Sequence, residues 1–249
     1  MKTYGLIGYP LSHSFSKKYF TEKFISEGIK DHQYELFPIE NIKSLPDLLV
    51  ATPSLCGLNV TIPHKVNVLC YLNEIEEAAE KIGAVNCISI KNFDGETYLK
   101  GYNTDAYGFE ASLKPLLKSQ HTKALVFGDG GAAKAVKYVL EKLGIEYLVV
   151  VRKPTPKAIL YSEISSEILK RHKLLINTTP LGMLPNVNTH PEIDYSILND
   201  EYLAYDLVYN PLETAFLTKA KLQGADVKNG LEMLYKQAEK AWCIWNNIG

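Results

Sequence analysis

No stretch of this chain is apolar for long enough to cross a bilayer, because its hydrophobic residues come in short runs broken by charge, glycine or proline. Cysteine is scarce as well. Cys56, Cys70, Cys87 and Cys243 have none of the close spacings of a zinc or redox motif, and a chain of 249 residues can bury a core without disulfides. A reducing cytoplasm is the expected setting. An excess of either charge is also missing: Lys plus Arg number 27 against 28 for Asp plus Glu. No global field therefore draws nucleic acid or an anionic membrane, and small molecules are the expected partners, with the chain a monomer or homodimer. The opening Met1 to Gly8 carries one basic residue and is interrupted by glycine before an apolar core forms, so it does not read as a secretory signal. Metal-ligand clusters, internal repeats and low-complexity segments are absent too.

What the chain does carry is a glycine turn at its middle. The apolar run Ala124 to Phe127 breaks into Gly128-Asp129-Gly130-Gly131-Ala132-Ala133 and resumes with Val136, Leu140 and Leu143 at helical spacing. That pattern is a strand, a tight turn and a helix start. Gly128, Gly130 and Ala133 fit the dinucleotide spacing, and bare amides at Gly131, Ala132 and Ala133 would attract a pyrophosphate. In an NAD site a carboxylate about 20 residues further on holds the ribose 2'-hydroxyl. Here the strand Tyr147 to Val151 is followed by Arg152-Lys153. Two cations and no acid favour a 2'-phosphate, hence NADP; the alternative is a basic pair that merely solvates a loop. Asp129 runs against this reading, since a carboxylate in a pyrophosphate turn costs affinity unless it faces solvent or a cation. Thr178, after the apolar strand Leu174 to Asn177, is a further cofactor candidate, with an ordinary turn as the alternative. Met233 could press on a nicotinamide or simply belong to the core.

Periodicity places these motifs in an α/β chain of two domains. Strands at 3–8, 33–37 and 57–61 alternate with helices near 14–27, 42–49 and 74–82, and segments 85–91 and 96–100 flank Asp94-Gly95 as an antiparallel hairpin. The first sheet is thus expected to be mixed. Beyond a boundary near residue 105, strands at 124–127, 147–151, 174–177, 203–208 and around 227 alternate with helices to form a doubly wound, Rossmann-type sheet. The segment 154–173 looks abbreviated. The last helix, 230–246, carries Leu231, Leu234, Ala238, Ala241, Trp242 and Trp245 on one face and is expected to return to the first domain. The expected domains are 1–104, completed by 230–249, and 105–229.

Upstream of the glycine turn stand Gly8-Tyr9-Pro10-Leu11-Ser12-His13-Ser14-Phe15-Ser16, Asn59-Val60-Thr61-Ile62-Pro63-His64-Lys65, Gly83-Ala84-Val85-Asn86 and Gly101-Tyr102-Asn103-Thr104-Asp105. Downstream stand Asp206-Leu207-Val208-Tyr209-Asn210-Pro211 and Gly230-Leu231-Glu232-Met233-Leu234-Tyr235-Lys236-Gln237. In this order, over nearly the whole length, the motifs resemble those of the shikimate dehydrogenase family. The resemblance implies reversible NADPH-dependent reduction of 3-dehydroshikimate to shikimate, a step of chorismate and aromatic amino acid biosynthesis. It makes Lys65 and Asp105 the catalytic pair, gives the substrate carboxylate to Ser14 and Ser16, and gives the hydroxylated ring to Asn59, Thr61, Asn86, Tyr209 and Gln237. Val208 and Gly230 join the cofactor set.

Short polar side chains with both donor and acceptor capacity suit a cyclic ligand bearing one carboxylate and several hydroxyls. An ammonium at Lys65 would stabilise charge on the ketone oxygen and deliver the proton, with Asp105 orienting it and binding a neighbouring hydroxyl. Plainer readings exist: a surface lysine after a proline turn, and a helix N-cap. His13 or His64 as the acid is a rival, although neither has a carboxylate partner in sequence. The chain departs from the family pattern at Lys17, Asp129, Val151, Lys153 and Asn229, mostly on the cofactor side. A quinate/shikimate dehydrogenase using NAD, or a non-catalytic sensor of the same fold, are the alternatives.

Overall fold

The computed structural model describes residues 1–11, 14–93 and 95–248. His13, and the Asp94 half of the expected Asp94-Gly95 turn, lie outside the described residues. The chain divides into two compact units, one of residues 1–104 with the chain from Ala238 onward, the other Asp105–Gln237.

The first unit contains β1 (Lys2–Gly8), α1 (Phe15–Ser26), β2 (His32–Pro38), α2 (Leu45–Ala51), β3 (Leu55–Val60), α3 (His64–Asn67), β4 (Glu74–Ile75), α4 (Glu77–Ile82), β5 (Cys87–Phe93) and β6 (Glu96–Tyr102). Its sheet runs β2-β1-β3-β5-β6-β4. β1 is parallel to β2 and β3, while β5 is antiparallel to β3 and β6, so the sheet is mixed. Alternation along β1 explains the layering: Ile7 joins Leu58, Val60 and Ile88 in one core, whereas Tyr4 and Leu6 face the other. The helix expected over 74–82 begins only at Glu77. Glu74 is drawn into the ladder instead, meeting Lys100 at 2.5 Å and the Tyr98 hydroxyl at 3.0 Å, and Glu76 caps α4 by accepting from the Ala79 amide at 3.2 Å.

In the second unit α5 (Thr104–Leu113) leads into β7 (Lys123–Phe127), α6 (Gly131–Lys142), β8 (Glu146–Val151), β9 (Ala158–Leu160), α7 (Ser166–Arg171), β10 (Leu174–Asn177), β11 (Leu203–Asp206), α8 (Ala215–Leu222), β12 (Asp226–Lys228) and the start of α9 (Leu231–Asn246). Its sheet, ordered β12-β11-β10-β7-β8-β9, is parallel throughout. Helices cover both faces, which is why Ala124 to Phe127, Leu174 to Ile176 and Leu203 to Tyr205 read as apolar runs and are buried. The abbreviated segment holds the three-residue β9, a 3-10 turn at Tyr161–Glu163 and the six-residue α7.

The later part of α9 docks in the first unit. Ala238, Ala241, Trp242 and Trp245 enter the core of Tyr4, Phe20 and Phe24, and the Trp245 indole donates to the Ile88 carbonyl at 3.0 Å. Gly57 makes that approach possible, because a Cβ there would lie 2.3 Å from the indole nitrogen.

Candidate active site

Strand register brings the substrate motifs of the first unit to one edge of its sheet. Ile7 pairs with Val60, Asn59 with Cys87, and Cys87 with Tyr102. The carboxyl ends of β1, β3 and β6 and the start of β5 therefore lie side by side, and ligands of open α/β sheets bind outside such ends. Backbone hydrogen bonds stitch the loops there: Thr61 N–H to Ile7 O at 2.9 Å, Tyr9 N–H to Ile62 O at 3.0 Å, and Val85 N–H to Lys65 O at 2.8 Å. Gly8 is glycine because a Cβ would meet the Thr61 methyl at 2.3 Å.

Ser14 immediately precedes α1 and, unusually for that position, makes no side-chain cap. Its hydroxyl is buried without a hydrogen-bond partner among the described residues. A buried orphan of this kind is what a ligand oxygen would complete. Asn59 is buried and accepts from the Tyr34 hydroxyl at 2.7 Å. Asn86 is buried too; its Oδ1 accepts from the Thr104 amide at 2.6 Å and its Nδ2 donates to Thr104 Oγ1 at 3.0 Å. Asn86 thus anchors the residue directly before Asp105, one position along from Val85, which holds the backbone of Lys65. Thr61 and Lys65 are half-buried. His64 is turned into the core, 1% exposed, with Nε2 donating to the Ile39 carbonyl at 2.7 Å. The ring is buried and its Nε2 is held by backbone, which speaks against His64 in the rival acid role, although Nδ1 is buried with no partner among the described residues.

Asp105, Tyr209 and Gln237 belong to the second unit. Asp105 is buried in the first turn of α5, so the N-cap is the preceding Asn103 and not Asp105 itself. One turn on, Gly108 lets α5 and α9 touch: a Cβ there would lie 2.5 Å from Met233 O and 3.1 Å from Gln237 N. This brings the face of Asp105 beside Met233 and the buried Gln237, whose amide donates to Leu234 O at 2.9 Å. Burial raises the Tyr209 phenol above its ordinary range.

The cofactor motifs occupy the carboxyl edge of the second sheet, where Phe127 pairs with Asn177 and Asn177 with Asp206. Gly128 has φ +100° and packs so closely on Thr178 and Thr179 that a Cβ would come within 2.8 Å. Gly130 precedes α6 and faces open space. Gly131, Ala132 and Ala133 then offer first-turn amides with no intrahelical acceptor, which fits a pyrophosphate. The Asp129 carboxylate is engaged by Lys137 from α6. Arg152 borders a cavity of about 340 Å³, bounded also by Leu160, Tyr161, Leu181 and His190, while Lys153 is exposed beside it. The Thr178 hydroxyl is committed to Phe127 O at 2.8 Å, Gly230 N–H bonds Val208 O at 3.1 Å, and a Cβ on Gly230 would lie 2.1 Å from Leu207 O. Met233 and Val208 are buried.

Beneath this edge lies a buried polar cluster. Asp206 accepts from Asn177 Nδ2 at 2.9 Å, Val208 N at 3.0 Å and Thr214 Oγ1 at 2.6 Å. Burial nevertheless pushes its carboxyl up to about 6. Sequence reasoning missed Tyr34, Gly108 and Tyr161. Only Gly108, a glycine inside a helical pattern, carried a visible signal.

Residues 6–88 match the family model described as shikimate dehydrogenase substrate binding domain. The NADP(+) shikimate dehydrogenase of Caldanaerobacter subterraneus subsp. tengcongensis is 38% identical, covering 98% of this chain and 91% of that protein. Among solved structures, shikimate 5-dehydrogenase of Thermus thermophilus, in complex with NADP(H) and shikimate, superposes with a TM-score of 0.85 at 32% identity, over 99% of this chain and 94% of that one. The Listeria monocytogenes enzyme, in complex with shikimate and NAD, gives 0.85 at 28% identity, over 99% and 92%. Among the described residues no helix is long and apolar enough to cross a membrane.

Proposed function

The chain belongs to the shikimate dehydrogenase family, and on that premise we propose that it catalyses the reversible NADPH-dependent reduction of 3-dehydroshikimate to shikimate. What supports this reading is a buried serine hydroxyl with no partner among the described residues, together with two buried asparagines at the sheet edge and a half-buried lysine that follows β3. Ser14 and Ser16 take the ring carboxylate, each hydroxyl donating to an oxygen. Asn59, Thr61 and Asn86 take ring oxygens, Tyr209 and Gln237 completing the set.

Bound NADPH supplies the hydride for the ketone carbon. Lys65 hydrogen-bonds the ketone oxygen as an ammonium, so negative charge developing there is met by a fixed cation, and the proton on Nζ passes to that oxygen to give the alcohol. Asp105 accepts a hydrogen bond from the hydroxyl next to the ketone, which fixes the ring's orientation at Lys65. The first-turn amides of α6 hold the pyrophosphate, and Arg152 with Lys153 holds the 2'-phosphate. The test is spectrophotometric: NADPH absorbance followed with 3-dehydroshikimate, and NADP(+) reduction with shikimate, then NADH, NAD and quinate in turn. Turnover with the shikimate pair and NADP(H) is expected. Purified, folded protein that oxidises no NADPH in the presence of 3-dehydroshikimate would end the proposal.

A further inference from the structure

Tyr34 lies on β2, outside every motif of the proposed site, and is 2% exposed. Its hydroxyl nevertheless crosses beneath β1 to reach Asn59 on β3, donating to Oδ1 at 2.7 Å. An asparagine amide can present either its oxygen or its NH2 to a ligand, and a donor fixed on Oδ1 removes the choice. The Asn59 NH2 is left with the Asn86 carbonyl at 3.5 Å, the outer limit of a hydrogen bond. At least one N–H therefore has no strong internal acceptor among the described residues. The phenol so fixes the amide of an asparagine assigned to the ring.

We propose that Tyr34 is a positioning residue for substrate recognition: it holds the Asn59 amide with its NH2 outward, so that the site reads the facing ring oxygen as a hydrogen-bond acceptor. The inference rests on the function proposed above. Without the phenol the amide can turn over, and its oxygen then meets a ring oxygen that has lost its donor. The effect belongs to substrate binding, not to the hydride or proton step.

The experiment compares wild type, Tyr34→Phe, Asn59→Ala and the double variant in shikimate oxidation, with melting temperature recorded for each. Tyr34→Phe is expected to raise KM for shikimate about tenfold while KM for NADP(+) and kcat stay within about twofold. In the Asn59→Ala background, Tyr34→Phe should add nothing, because the group through which it acts is gone. Equal KM values for wild type and Tyr34→Phe overturn the proposal. So does a Tyr34→Phe effect of full size without Asn59, or a loss shared by kcat and both KM values in step with the melting temperature. Should Tyr34→Phe not fold, the side-chain amide signals of Asn59 in 15N-labelled wild type serve instead. They are expected to move on titration with shikimate, and signals that stay put overturn the proposal. Wild type that fails to oxidise shikimate at all sinks the functional reading, a result distinct from an active wild type matched by Tyr34→Phe.

Discussion

The two sheet edges solve the same problem with different materials. At the first, Ser14, Asn59, Asn86 and Thr104 meet each other or await a ligand with side chains, nearly all of them buried. At the second, Gly128, Gly130, Gly131 and Gly230 contribute backbone, and charge enters at Asp129 with its partner Lys137, at Arg152 and Lys153, and at the buried Asp206 beneath. A ring with hydroxyls needs donors and acceptors at particular points, whereas a pyrophosphate needs a concave run of amides. Side-chain recognition ties function to residue identity; backbone recognition ties it to what can be left out of a turn.

The largest effect should come from the side-chain edge. Lys65→Ala is expected to lower kcat for 3-dehydroshikimate reduction about a thousandfold, because in the proposed mechanism the proton donor and the cation facing the ketone oxygen vanish together. NADPH affinity, measured by fluorescence titration, should stay near wild type. A fall in cofactor affinity as large as the fall in kcat would mean that the two edges are not separable in this way.

This division of materials also explains what could be read from sequence. Both sheets, the hairpin of β5 and β6 and the docking of the last helix were visible as periodicity, and the glycine turn as spacing. The start of α4 was not, because Glu74 and Glu76 suit a helix until the cross-strand Lys100 and Tyr98 claim Glu74. Tyr34 was equally hidden: a tyrosine in an alternating strand looks like core, and only the register of β2, β1 and β3 sets its hydroxyl on Asn59. Asp129 looked adverse because its counter-charge lies eight residues along, on the second turn of α6.

Asp206 is the place where the second edge uses buried side chains, and it should reveal itself through pH. Its carboxyl stands at about 6 in the folded chain against 3.8 ordinarily. The folded state therefore binds the proton more tightly, and wild type should gain stability as pH falls from 7 through 6 toward 4. Relative to Asp206→Asn, whose amide does not titrate, that gain should reach roughly 3 kcal/mol. Urea melts of both proteins at several pH values measure it; a difference that stays flat between pH 7 and 4 would show that the cluster holds the carboxylate without strain.

Arg152 probes the cofactor edge directly. Arg152→Ala should weaken NADPH binding about 10- to 30-fold while leaving NADH binding unchanged, since a charge-assisted contact to the 2'-phosphate is lost and nothing else. Added salt should narrow the gap, as Arg152 is exposed. Equal losses for both cofactors would assign Arg152 to the adenine instead, and leave the 2'-phosphate to Lys153.

The smallest effect concerns the one acid in the glycine turn. A carboxylate there repels a pyrophosphate, yet Lys137 reaches back along α6 to engage it, and the two side chains are 39% and 24% exposed. For so accessible a pair the net interaction is modest, so Asp129→Ala should tighten NADPH about two- to fivefold and Lys137→Met should loosen it by a similar factor. The double variant separates two roles for the lysine. If Lys137 only cancels the acid, removing both returns affinity to near wild type; if it also attracts the phosphates itself, the double variant binds more weakly than Asp129→Ala alone by the full lysine contribution. The first outcome keeps the second edge a backbone device with its charges neutralised, and the second adds a side-chain cation to the glycine turn.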